Sequence, residues 1–148
     1  MPNISPFLWF NDNAEEAMNF YVSIFPNSKI DSILPGPNGK AMGVNATLDG
    51  QKVRSLNGGP LFTPNESFSF FVDCQDQEEV DRYWGAFMSN DGKESQCGWL
   101  KDKYGFSWQI IPVQLGQLLS QDKTGKVVQA MLKMKKIIIA DLEAAAKE

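Results

Sequence analysis

Phe7-Leu8-Trp9-Phe10-Asn11-Asp12 is an aromatic-rich run of strand length, closed by an Asp that suits a turn. The run Phe68-Ser69-Phe70-Phe71-Val72-Asp73 repeats it in the second half of the chain. The segments next in the chain repeat as well. Asn13 with Glu16, and Asp76 with Glu79, place a capping residue three positions before a Glu, and both mark helix starts. The two expected helices carry matching apolar stripes: Ala17, Met18, Tyr21, Ile24 and Phe25 in the first, Val80, Tyr83, Trp84, Phe87 and Met88 in the second. Pro26 stops the first helix, with Asn27 in the turn. Strand patterns then span Lys29 to Leu34, Ala41 to Leu48 and Lys52 to Leu56, the last two joined by the hairpin signal Asp49-Gly50. In the second half a strand near Ser67 to Val72 and a helix to about Ser89 precede strands near Ser95 to Leu100 and Phe106 to Pro112. Each half therefore reads as strand, helix, then antiparallel strands: a duplicated α+β unit.

From about Val113 the pattern is helical. Val127, Met131 and Met134, backed by Val128 and Leu132, form an apolar face that asks for a partner surface, and the stretch from Asp141 to Lys147 is rich in helix formers. No linker separates these parts. We expect one domain over residues 1–148, with a first module at about 3–60, a second at about 66–113 and a helical tail at about 114–148.

The chain has 148 residues, 43% apolar and 22% charged, with a net charge of −4. That composition excludes disordered and fibrous classes. No apolar run approaches membrane-spanning length, and the N-terminus has neither the basic nor the apolar region of a secretory leader. The only cationic cluster, Lys133, Lys135 and Lys136, suits a helix end better than a nucleic-acid surface. Cys74 and Cys97 form no disulfide framework and read as reduced thiols in a cytoplasmic protein. There is no histidine. Its absence removes Ser-His-Asp and Cys-His catalysis and every imidazole metal site.

Several of these segments together resemble the PhnB-like family. They are Phe7-Leu8-Trp9-Phe10 with Ala14-Glu15-Glu16-Ala17 and Phe20-Tyr21, then Leu56-Asn57-Gly58-Gly59-Pro60, Phe70 to Cys74, Glu79 to Trp84, and Cys97 to Gly105. The family's domain carries the label 3-demethylubiquinone-9 3-methyltransferase. It belongs to the glyoxalase/bleomycin-resistance/dioxygenase group, the vicinal oxygen chelate superfamily. The resemblance takes in nearly the whole chain, including Gln129 to Met134. It implies two tandem βαβββ modules whose antiparallel-rich sheets curl around a pocket, and a homodimer. In the superfamily a divalent metal is held by His and Glu on the module strands. Here the matched positions hold Ser5, Ser67 and Gln109. A hydroxyl is a poor ligand and a neutral amide brings no charge, so we expect no metal and no cofactor. No glycine-rich strand-to-helix turn precedes an acidic residue, which argues against a methyl-transfer cofactor. Asn57-Gly58-Gly59-Pro60 is either a tight turn or a backbone nest facing an anion.

The candidate ligand-binding residues are Ser5, Trp9, Arg54, Asn57, Ser67, Trp99 and Gln109. The strand tryptophans Trp9, Trp99 and Trp108 either line an aromatic pocket or fill the interior. Alternation sends Trp108 and Gln109 to opposite faces, and we expect Gln109 toward the pocket. The spacing from Gly50 to Arg54 repeats that from Gly105 to Gln109, so the two residues are expected at equivalent places. Arg54 is a surface charge if it faces out, and a bidentate site for a carboxylate or phosphonate if it faces in. Cys97 lacks a base and reads as an inert thiol rather than a nucleophile. The expected function is metal-free binding of a small oxygenated metabolite in an aromatic pocket. The alternative is an enzyme of lyase, transferase or isomerase type with a weakly held or absent metal. The expected partners are a second copy of the chain and the small molecule, with no nucleic acid and no membrane.

Overall fold

The computed structural model describes residues 2–148, which divide into two compact units, one running to Pro64 and the other Asn65–Glu148. In the first unit, β1 (Phe7–Phe10) leads into helix α1 (Ala14–Ile24), followed by β2 (Lys29–Pro35), β3 (Ala41–Leu48) and β4 (Gln51–Asn57). The sheet order is β1-β4-β3-β2, with β1 parallel to β4 and the other pairs antiparallel. Asp49 and Gly50 both take positive φ, 46° and 84°, and Leu48 pairs with Gln51 across them. That is the two-residue hairpin that an Asp-Gly pair favours. The apolar stripe of α1 buries Ala14, Ala17, Met18 and Tyr21, and from the sheet Leu8, Phe10, Val44, Ala46 and Val53 are buried as well. Large side chains buried in this way each contribute about 1.5–3 kcal/mol.

The second unit repeats the topology. β5 (Ser69–Cys74), helix α2 (Gln77–Met88), β6 (Lys93–Glu94), β7 (Trp99–Lys101) and β8 (Ser107–Pro112) form a sheet of order β5-β8-β7-β6, with β5 parallel to β8. The duplicated βαβββ unit read from the sequence is thus the fold. The strand repeat itself needs a one-residue correction. Matching Phe7 with Phe68 would set buried Phe10 against Phe71, which is 54% exposed. Faces agree only when Leu8 matches Phe70 and Phe10 matches Val72, because a single-residue slip reverses every side chain.

Two local expectations fail for physical reasons. The box at Asp76 forms: Asp76 Oδ1 accepts from the Glu79 N–H (2.9 Å), and Glu79 Oε1 accepts from the Gln75 N–H (2.8 Å). At α1, Asn13 makes no side-chain cap bond, and the Ala14 N–H donates instead to Asn57 Oδ1 on β4 (2.9 Å). The strand expected over Ser95 to Leu100 is interrupted. Cys97 and Gly98 adopt φ of 58° and 86°, and the Trp99 N–H closes a turn onto the Gln96 carbonyl (3.0 Å), which leaves β6 only two residues long.

The tail forms α3 (Gln114–Ser120), α4 (Lys126–Leu132) and α5 (Ile139–Ala146). Leu115, Val127, Ile137 and Leu142 make a buried cluster with Ile111 of β8, and Met131 and Met134 pack against it. The partner surface sought by this apolar face is thus supplied within the same unit. Gln77, the first residue of α2, fastens the connection between α4 and α5. Its Nε2 donates to the Ile137 carbonyl (2.9 Å) and its Oε1 accepts from the Ile139 N–H (2.8 Å). No helix among the described residues is long and apolar enough to cross a membrane.

Candidate functional site

Strand alternation gives each sheet one face toward its helix and one open face. On the open face of the first unit, the registered pairs stack into three transverse rows. The middle row is Phe7, Arg54, Asn45 and Ser32, one residue from each strand. Phe7 is 58% exposed and Arg54 is exposed. Asn45 Nδ2 donates to Ser32 Oγ (3.1 Å), which leaves the Ser32 hydroxyl proton available. Toward the hairpin lies a charged row. Asp31 accepts from the Thr47 hydroxyl (2.7 Å) and pairs with Lys52 (3.4 Å) and Lys29 (3.9 Å). The Thr47 bond first, then the Lys52 charge, hold the Asp31 carboxyl below its usual range. On the other side lies an apolar row of Trp9, Leu56, Gly43 and Leu34. Among the described residues Arg54 makes no ion pair.

Beside the middle and charged rows is a depression of about 400 Å³, lined by Ser5, Asp31, Ser32, Asn45, Lys52 and Arg54 among others. Its volume falls in the range of small-molecule sites. The structure therefore brings Ser5 and Arg54 together. Trp9 is held by the loop after β4: its indole N–H donates to the Gly59 carbonyl (3.0 Å), and its ring meets Phe62 edge-on at 4.9 Å. A Cβ on Gly58 would strike the indole, so that position requires glycine. The loop is no anion nest. The Gly58 and Gly59 N–H groups donate to the Phe10 and Asn11 carbonyls. Asn57 is committed at both ends of its amide, accepting from Ala14 and donating to the Ala41 carbonyl (2.9 Å), on the helix-facing side of its strand.

In the second unit, Gln109 stands across from Trp99 on β7 and Phe71 on β5, all on the open face, while Trp108 is buried on the other. Gln109 Nε2 donates to Ser69 Oγ (3.0 Å). Trp108 stacks on Phe70 (4.4 Å), and its N–H donates to the buried carboxylate of Asp102 (2.9 Å). Asp102 also accepts from the Tyr104 and Phe106 N–H groups (2.9 Å each). Sequence reasoning passed over this residue, although an Asp two and four positions before a Tyr-Gly-Phe turn is a recognisable Asx signal. Ser67 lies before β5, in a turn where its N–H and hydroxyl both donate to Asn65 Oδ1 (2.9 and 2.6 Å). Arg54 and Gln109 share the open-face assignment but are not equivalent. Arg54 pairs with Phe7 while Gln109 pairs with Phe71, the counterpart of Trp9, so they sit one pleat apart.

These residues do not fit the divalent metal that the superfamily resemblance implies. Ser67 and Gln109 are neutral and already hydrogen-bonded, the chain has no histidine, and no three Cys, Asp or Glu side chains converge among the described residues. Cys74 is buried, and burial, followed by the nearby Glu79, pushes its thiol up to about 12, far from a nucleophile's range. Cys97 is half-buried.

No curated protein sequence matches the chain significantly. A PhnB protein from Bacillus cereus is 34% identical, with a TM-score of 0.67 over 73% of this chain and 97% of its own. Protein PA1353 from Pseudomonas aeruginosa gives 19% identity and 0.61 over 73% and 95%. The fosfomycin resistance protein FosX from Listeria monocytogenes gives 18% and 0.53 over 73% and 89%. The family profile described as 3-demethylubiquinone-9 3-methyltransferase matches residues 2–111. The match stops before α3, so the tail, including Gln129 to Met134, lies outside it, contrary to the resemblance read from the sequence. Over its two βαβββ units the chain belongs to the 3-demethylubiquinone-9 3-methyltransferase family, the PhnB-like group with the vicinal oxygen chelate fold.

Proposed function

We propose that this protein binds a small oxygenated organic compound on an open sheet face, without a resident metal. One observation carries the reading: where metal-ligating side chains would be needed, the open faces present neutral amides and hydroxyls, together with the exposed, unneutralised Arg54. Such groups recognise carbonyl, hydroxyl and carboxylate oxygens directly. Methyl transfer is not part of this reading, because the glycine loop after β4 directs its N–H groups at the Phe10 and Asn11 carbonyls at the end of β1. A homodimer is part of it. Leu132, 58% exposed, and Val128, 37% exposed, leave one side of α4 apolar at the surface. Light scattering at micromolar concentration tests that point, and a monomer contradicts it.

Thermal-shift titration tests the binding reading. Small carboxylic acids, polyols and aldehydes are added to the chelator-treated protein, with S-adenosylmethionine alongside. A saturable shift in chelator supports the proposal. Binding that appears only after zinc, nickel or manganese is added, or only with S-adenosylmethionine, overturns it.

A further inference from the structure

Arg54 lies at a boundary. On one side, the single carboxylate of Asp31 is shared by Lys52 and Lys29, so that row keeps a net positive charge beside Arg54. On the other, Trp9, Leu56, Gly43 and Leu34 form an apolar strip in which Gly43 puts no side chain between Leu56 and Leu34. Leu34 is 45% exposed, and exposed Phe7 adjoins Arg54 directly on β1. Strands stand about 5 Å apart, so the long Arg54 side chain and the Ser32 hydroxyl two strands away can meet one oxyanion. We infer that the open face of the first unit takes a small organic anion with a flat apolar body. Its carboxylate-type head is held by Arg54 and Ser32, and its body lies over Phe7 and the Leu56–Gly43–Leu34 strip. This rests on the proposed binding function and specifies its ligand class. The charge argument selects the occupant: a neutral ligand leaves the guanidinium unmatched, and a cation is repelled. Planar, five-donor guanidinium favours a two-oxygen head over a point charge.

Calorimetric titration with three probes, all in chelator, tests the inference. Benzoate carries ring and charge, benzyl alcohol the ring alone, acetate the charge alone. Benzoate should bind at least about tenfold more tightly than either of the others, as expected for one charge-assisted hydrogen-bonded contact added to apolar burial. Arg54→Met keeps the apolar stem and should reduce benzoate to the level of benzyl alcohol. Leu34→Ser, at an exposed position, should weaken benzoate while leaving acetate unchanged. Equal affinity for benzoate and benzyl alcohol, equal affinity for benzoate and acetate, or benzoate binding untouched by Arg54→Met overturns the inference. If neutral oxygenated compounds bind in chelator and benzoate does not, the inference falls and the proposed function stands. If nothing binds in chelator, both fall.

Discussion

The two units share strand order, pairing sense and helix placement, yet their open faces differ in chemistry. In the first, Arg54 stands between an apolar strip and the row of Lys29, Lys52 and Asp31, without an ion pair among the described residues. In the second, the corresponding ground is tied up internally. Lys101 is paired with Glu66 (3.0 Å), Gln109 is bonded to Ser69, and Ile111 on the Gln109 face is drawn into the tail's cluster. One topology thus serves two ends. The first face leaves Arg54 exposed, whereas much of the second supports the fold.

Substitutions that strike the structural role of the second unit should have the largest effects. Ile111→Ala empties a site shared by β8 and the tail helices and should cost about 2–5 kcal/mol in chemical denaturation. A cost below about 1 kcal/mol would mean the tail does not depend on that face. Asp102→Ala strands three N–H donors, two from the backbone and one from Trp108, and should cost about 2–3 kcal/mol with a red shift of tryptophan emission. Unchanged emission would show that the carboxylate does not fix the indole.

Smaller effects separate the faces more finely. Cys74 should resist iodoacetamide in the native protein and react after unfolding, with mass spectrometry as the readout. Its thiol is raised from 9.0 to about 12 chiefly by burial, so the unfolded chain loses that proton first as pH rises. Native stability should therefore fall across the window from 9.0 toward about 12 and not below it. Asp31→Asn releases Lys52 beside Arg54 and should strengthen benzoate binding by about threefold at low salt, an increment that salt erases. Gln109→Ala should cost under about 1 kcal/mol of stability, one exposed-side hydrogen bond, and leave benzoate affinity unchanged. A large loss of benzoate affinity in that variant would assign the ligand to the second unit instead.

Much of this was legible in the sequence, and the omissions have definite causes. Helix stripes, the Asp49-Gly50 hairpin and the duplication were readable because each is a local periodicity. The hairpin even sets the cross-strand row: once Leu48 faces Gln51, Asn45 must face Arg54. Ser32 was harder to place, because the β2–β3 register shifts between Ile30 and Ser32. Asn57 looked like a site residue because it lies on the final strand of its module, as Gln109 does. Its work is to cap α1 from across the sheet, a long-range contact that no spacing announces. Trp9 does stand in the open-face apolar row, but its indole is also held by the loop after β4, a contact no local spacing announces. Asp102 carries a local Asx signal, but nothing local announces that the Trp108 indole closes over its carboxylate.

Amide chemical shifts during a benzoate titration of the chelator-treated protein, extended to the side-chain Nε–H of Arg54, bear most directly on the division between the two faces. Perturbations should centre on Phe7, Ser32, Gly43, Asn45 and Arg54, leaving Ser69, Trp99 and Gln109 unmoved. Shifts centred on Trp99 and Gln109 with Arg54 silent, or shifts that appear only after a divalent metal is added, would contradict it.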